Sequence, residues 1–258
     1  MGTSTWHRSP ETEAWRRVRE LYARPDPSPA EVVSRIVAAL DPATRVGMSD
    51  PAVATCLGTV VEAPQLVGRQ GLGATLDALG VGREPAAVQL AAGLRSRAEM
   101  LIAREGYASR FGDLSLEAVG TSALALAALS GDDAGILSLT SEAVECSLAQ
   151  YEHDRGLAEA ASLFVGHDLD RTFRYFVARD LGDFIGGEGL PTVSHANRFE
   201  DAVAAHCRDT WRALSLAEFE PRLSTVVDVS PARRSELLGP VMAAGIEQGL
   251  ALLAAGGL

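Results

Sequence analysis

An all-α fold, a multi-helix bundle of about nine to eleven helices with no sheet, is predicted by three features of this 258-residue chain. Explicit helix-start signals recur along it. Apolar residues follow those signals at helical rather than alternating spacing. Only residues 225–229 have the β-branched density of a strand, and one short strand has nothing to pair with, so they read as an extended linker.

Taken in order, Ser9-Pro10-Glu11 opens a helix whose Trp15, Val18, Leu21 and Tyr22 form one apolar stripe. Ser28-Pro29-Ala30-Glu31 is a capping box with Pro at the first helical position, and Val32, Val33, Ile36, Val37 and Leu40 follow. Asp50-Pro51 starts the next helix, through Val53, Leu57, Val60 and Val61. Glu84-Pro85 begins a longer one that runs to Glu105 and stops at Gly106. Further helices are placed near 114–130, 133–155, 157–165, 169–185, 195–214 and 231–255. Ser215-Leu216-Ala217-Glu218 and Ser230-Pro231-Ala232-Arg233 mark two late starts. Leu137, Val144, Leu148 and Tyr151 keep a seven-residue rhythm with Ser141 at the small position, which predicts a helix lying lengthwise against another. Gly239-Pro240 predicts a kink or restart in the last helix.

All seven Phe residues lie after position 110, whereas the first half draws its core from Leu, Val and Ala. The glycine-containing stretch 106–113 is therefore the expected boundary between an N-terminal region, 1–110, and a C-terminal region, 111–258. One continuous helical domain is the alternative, because short helix connections are normal inside bundles. The series Gly68, Gly71, Gly73, Gly80, Gly82 lacks a preceding strand and the third glycine offset of a dinucleotide fingerprint, so it predicts close packing or a broken helix.

Composition excludes several function classes. A formal charge of −11 argues against a nucleic-acid binder, which needs clustered positive charge to release counterions. All 23 basic residues are Arg, Asn occurs once, at Asn197, and Ile only five times. That pattern points to a bacterium with a GC-rich genome, the alternative being selection against a modifiable ε-amine. Arg16, Arg17 and Arg19, and likewise Arg95 and Arg97, read as solvated helix faces, with Glu13, Glu20 and Glu99 four residues from Arg17, Arg16 and Arg95. Cys56, Cys146 and Cys207 form no C-x-x-C pair and read as small buried hydrophobes. Residues 1–8 lack an apolar signal core, and no uninterrupted apolar run reaches the ~18 residues of a membrane span. The expectation is a soluble, acidic, lysine-free cytoplasmic protein that binds neither nucleic acid nor membrane.

The polar residues that could carry chemistry cluster between 142 and 209. At about 100° per residue, Asp180 falls inside the apolar arc formed by Leu169, Phe173, Phe176, Val177 and Phe184, with Asp183 at its edge and Tyr175 outside. On the next helix His206 projects onto the side of Phe199, Val203, Cys207 and Leu214. The turn Gly186-Gly187-Glu188-Gly189-Leu190-Pro191 makes the two helices antiparallel neighbours. Asp180 and His206 are thus the candidate catalytic acid/base pair, or two ligands of a divalent metal, with Tyr175, Asp183 and Trp211 lining the pocket. The structural alternative is a buried hydrogen bond or a salt bridge from Asp180 to an Arg such as Arg155. A second cluster, His153 with His167 and Asp168, has the ligand order of helical metal phosphohydrolases, although Asp168 also reads as a helix N-cap. The Glu residues supply no Glu-x-x-His pair for a di-iron bundle, Asp132-Asp133 has no third Asp of a diphosphate site, and no Gly-x-Ser-x-Gly elbow occurs. No resident cofactor is implied, with a divalent metal the one these residues would hold.

Gly245 and Gly249 are four apart on an almost wholly apolar C-terminal helix, which buries itself in the core or against another chain. The functional expectation is a helical protein-interaction module, an adaptor, scaffold or regulatory subunit, with another protein or a second copy on the C-terminal helix. The alternative is a small-molecule enzyme with its pocket between 168–185 and 195–214.

Overall fold

Start signals and apolar stripes build a wholly helical chain. The computed structural model describes residues 10–128 and 135–256, and among these there is no strand or sheet. Ser9 and Asp132-Asp133 lie outside the described residues. The α-helices are α1 (Glu13–Tyr22), α2 (Pro29–Ala39), α3 (Pro42–Gly47), α4 (Pro51–Leu79), α5 (Ala86–Glu105), α6 (Arg110–Ala127), α7 (Ser141–His153), α8 (Leu157–Leu181), α9 (Val193–Trp211), α10 (Glu220–Leu223) and α11 (Pro231–Ala254).

Caps explain most of the starts. Ser28 Oγ accepts from the Glu31 N–H at 3.4 Å, and Asp50 Oδ1 accepts from Ala52 and Val53 at 2.9 and 3.1 Å. Thr12, rather than Ser9, caps α1 through a bond from Trp15 N. Two helix starts are capped by distant carboxylates instead. Glu220 accepts from Leu157 N and Ala158 N at 3.0 and 2.6 Å, and so opens α8. Within α4 the backbone leaves the helix at Gly71 (φ 81°), and Glu145 accepts from Leu72 N at 3.4 Å to begin the second half. The glycine series is therefore a broken helix, as expected, and Gly93 supplies close packing against Leu79.

The chain forms two compact units: residues 1–45, 169–214 and 247–258, and residues 46–168 and 215–246. The expected boundary at 106–113 is only a connection between α5 and α6, which pack on each other inside the second unit. The Leu/Val/Ala-to-Phe shift tracked composition, not a division of the core. In the first unit α1 packs on α2 and α2 on α9. Trp15, Val18, Leu21 and Tyr22 are buried there with Phe173, Phe176 and Phe199. In the second unit α4 packs on α5, α6 and α7.

Other expectations shift. The separate helices at 157–165 and 169–185 are one helix, α8, because nothing at Gly166-His167-Asp168 interrupts an unbroken buried face. Helix α7 begins at Ser141, and Leu137 is 74% exposed while Val144, Leu148 and Tyr151 are buried. Residues 226–228 form a 3-10 turn rather than an extended linker. Helix α11 runs through Pro240, and its Arg233–Ala254 stretch is long and apolar enough to cross a membrane by length and composition. Its apolar surface is used inside the chain: Leu238, Val241, Met242, Ile246, Leu250 and Leu253 are buried. A Cβ on Gly245 would lie 3.0 Å from Val165, and one on Gly249 would lie 2.3 Å from Leu169. The two glycines thus serve internal packing. Cys56 and Cys207 are buried, but Cys146 is exposed, because it sits on the outer face of α7.

Candidate functional site

The antiparallel pairing of α8 and α9 follows from two contacts between charged side chains. Arg174 Nη1 lies 3.7 Å from Asp201 Oδ1, and Arg208 Nη1 lies 4.0 Å from Asp170 Oδ2. In that register Asp180 stands opposite the first turn of α9, near Ala196. His206 is roughly ten residues further along, about 15 Å at 1.5 Å rise per residue. The structure therefore does not bring Asp180 and His206 together, and the proposed acid/base pair is corrected. Helical phase gave the inward direction of each residue but not the register between the helices.

Asp180 is buried as expected, at 3% exposure. Its Oδ1 lies 3.6 Å from Nε of Arg179, not near Arg155, which pairs with Glu159. The Arg179 side chain is itself only 6% exposed. Its guanidinium sits 4.6 Å from the Trp15 ring centroid, 5.5 Å from Phe176 and 5.9 Å from Tyr175. Tyr22 lies in the same region, fully buried, and burial together with the nearby Asp180 and Glu200 carboxylates pushes its phenol well above the ordinary value. The cluster clamps α1 onto α8 by stacking a buried cation between aromatic faces. Tyr175 belongs to that clamp, Asp183 is exposed in a 3-10 turn, and Trp211 closes α9 with its side chain outside what the structure describes. His206 is half-buried, and desolvation lowers its pKa.

The metal trio is also corrected. Among the described residues no group of three His, Cys, Asp or Glu side chains could hold a metal ion. His153 is exposed at the end of α7, 4.0 Å from Glu152, whereas His167 and Asp168 are buried in mid-α8. Asp168 is not an N-cap. Ser115 Oγ lies 2.5 Å from Asp168 Oδ1 and 2.8 Å from the Phe111 carbonyl. Ser115 Oγ is the donor to both oxygens, so its one proton is shared between the Asp168 carboxyl and the Phe111 carbonyl. Burial raises the Asp168 carboxyl to about 7, with Asp50 adding to the rise and Ser115 opposing it. The neighbouring Cys56 thiol is raised as well, first by burial and then by Asp168 and Asp50.

The second buried charge was missed from sequence. Glu62, 2% exposed, accepts from Arg97 Nη2 at 3.0 and 3.1 Å and from Arg234 Nη1 at 2.8 Å. Arg97 is thus part of an ion triad rather than a solvated face. An acidic residue inside the apolar run Leu57, Val60, Val61, Ala63 was the signal available. Beside it Gln65 Nε2 donates to the Leu223 and Ser224 carbonyls at 3.1 and 3.3 Å and ties α4 to the end of α10.

The second unit also carries a concavity of about 440 Å³ on its α5–α6 surface. Val88, Ala91, Ala92, Ser96, Gly120 and Leu124 line it, and a Cβ built on Gly120 would meet nothing within 4 Å. Arg95 and Glu99 flank it, and among the described residues neither makes an ion pair, unlike Glu13–Arg17 and Glu20–Arg16 on α1. Met100, next to Glu99, is 63% exposed. No protein-family model, no curated protein and no solved structure matches this chain.

Proposed function

We propose that the chain is a cytoplasmic helical protein-interaction module whose contact face is the α5–α6 groove of the second unit. The observation that carries this reading is a groove lined mostly by small or apolar residues and bordered by one cation and one anion, neither of which forms an ion pair among the described residues. Small side chains let a helix backbone approach closely, and a helix laid in a groove is a common recognition mode. The occupant that fits is an amphipathic helix with a narrow apolar ridge, carrying a carboxylate opposite Arg95 and a cation opposite Glu99. Rim charges of this kind set register and encounter rate more than affinity. The alternative, an enzyme pocket between α8 and α9, finds no support in a register that separates Asp180 from His206.

The test is a photo-cross-linking residue placed at Ala92, with the same residue at exposed Arg222 as control, in the native organism. A discrete product at Ala92 alone, lost when Gly120→Trp fills the groove, is the expected result. A product of twice the chain's mass would identify a second copy of this chain as the occupant. The absence of a product at Ala92, or one that Gly120→Trp leaves intact, overturns the proposal.

A further inference from the structure

The glycine-rich turn between α8 and α9 builds one wall of a second cavity, confined to the first unit and separate from the α5–α6 groove. We propose that this cavity is a binding site for a small zwitterion, a free amino acid with an apolar side chain. It encloses about 290 Å³ and is lined chiefly by Asp26, Pro27, Leu190, His195, Arg198 and Phe199. That volume sits near the lower end of the range for small-molecule pockets, about 300–1,000 Å³. The ligand must therefore be small.

The floor is apolar and fixed. Leu190 and Phe199 are 2% and 7% exposed, and the Phe199 ring meets the Tyr22 ring edge-on at 6.0 Å. The walls are held before any ligand arrives. A Cβ on Gly189 would lie 2.2 Å from the Arg24 carbonyl oxygen and 2.7 Å from that of Tyr22, so two loops meet backbone to backbone. Gly186 N–H donates to the Leu190 carbonyl at 2.8 Å, and Arg24 pairs with Glu31 at 3.2 Å. Pro27 and Pro29 stiffen the opposite wall. Asp26, between them and Arg24, holds a left-handed backbone (φ 52°), which Asp tolerates better than most residues other than glycine. Preorganisation of this kind lowers the entropic cost of binding.

The polar groups at the cavity are of opposite sign. Arg198 and His195 are one turn apart on the first two turns of α9, where the helix dipole also favours a carboxylate. Thr192 Oγ1 accepts from the His195 backbone N–H at 3.3 Å and lies 2.8 Å from Nδ1. Its own proton is then available to Nδ1, and Nε2 is left to donate to a ligand. Asp26 supplies an anion for an ammonium group. Among the described residues neither Asp26 nor Arg198 forms an ion pair. A carboxylate held by Arg198 and His195, an ammonium facing Asp26, and an apolar side chain over Leu190 and Phe199 use every group at the site.

Titration calorimetry on the full chain with L-phenylalanine and L-leucine tests this directly. Two analogues of the first, 3-phenylpropanoate and 2-phenylethylamine, each delete one charge. At least one amino acid should bind, and the two analogues should bind at least tenfold more weakly than L-phenylalanine or, if only L-leucine binds, not at all. Arg198→Gln and Asp26→Asn should each weaken binding at least tenfold with the unfolding temperature unchanged, since both side chains are exposed and Asn tolerates the left-handed backbone. Binding of neither amino acid, equal binding of an analogue, or wild-type affinity in both variants overturns the site.

Discussion

The two units bury charge in different ways. In the first, Arg179 and Asp180 are sequence neighbours, and the cation is shielded by the rings of Trp15, Tyr175 and Phe176. In the second, Glu62 is neutralised by Arg97 and Arg234, drawn from 35 and 172 residues away, and the Asp168 carboxyl, raised by burial, accepts from Ser115 Oγ. Around Arg179 the first unit thus relies on stacking, which tolerates loose geometry, while its other buried carboxylate, Asp170, accepts from Arg174 Nε of the next turn at 3.3 Å. The second relies on hydrogen bonds that fail together when one partner is lost.

The largest expected effect tests that distinction. Glu62→Gln leaves two mostly buried guanidiniums without a counter-charge and should cost about 3–5 kcal/mol in urea unfolding. A loss below about 1 kcal/mol would show that solvent compensates the triad and would erase the contrast.

Asp168 offers the second test. Its carboxyl titrates at about 7 in the folded chain and near 3.8 when unfolded. Between those values the unfolded state has lost its proton and the native state still holds it, so stability falls as pH rises from about 4 to 7. The full effect is about 4 kcal/mol. Asp168→Asn, neutral at every pH, should abolish this slope and be more stable than wild type at pH 8. Parallel pH profiles for the two proteins would refute a proton on Asp168.

Smaller effects come from the first unit and from the caps. Arg179→Met keeps most of the stacked volume and should cost about 1–2 kcal/mol, the range of a desolvated cation–π contact. A loss as large as that of Glu62→Gln would show that Arg179 acts as an ion-pair partner rather than a stacked plate. Glu220→Gln weakens the charge at the start of α8 and should cost about 0.5–1 kcal/mol by thermal melt. An unchanged melting temperature would mean that the neutral amide caps the two N–H groups equally well.

Local chemistry made the helical class legible. The Ser28 and Asp50 caps, the α1 stripe and the inward direction of Asp180 all follow from residues within one or two turns. What could not be read depends on partners brought together by folding. The caps from Glu220 and Glu145 are supplied across long sequence separations. The register of α9 on α8 is marked by the Arg174–Asp201 and Arg208–Asp170 contacts, across helices that periodicity cannot align. His167-Asp168 looked like a helix start because Asp is common there, whereas its true partner, Ser115, is 53 residues away. The cavity at Asp26, His195 and Arg198 needs two loops to meet, and the glycine that lets them meet gives no ligand signal by itself.

One packing detail has an evolutionary reading. A methyl group added at Gly249 would collide with Leu169, a terminal branch of which occupies that volume. In related chains the two positions should change in concert: an alanine at the first calls for a shorter residue at the second, and a chain altered at one alone would carry a misfit in its interior.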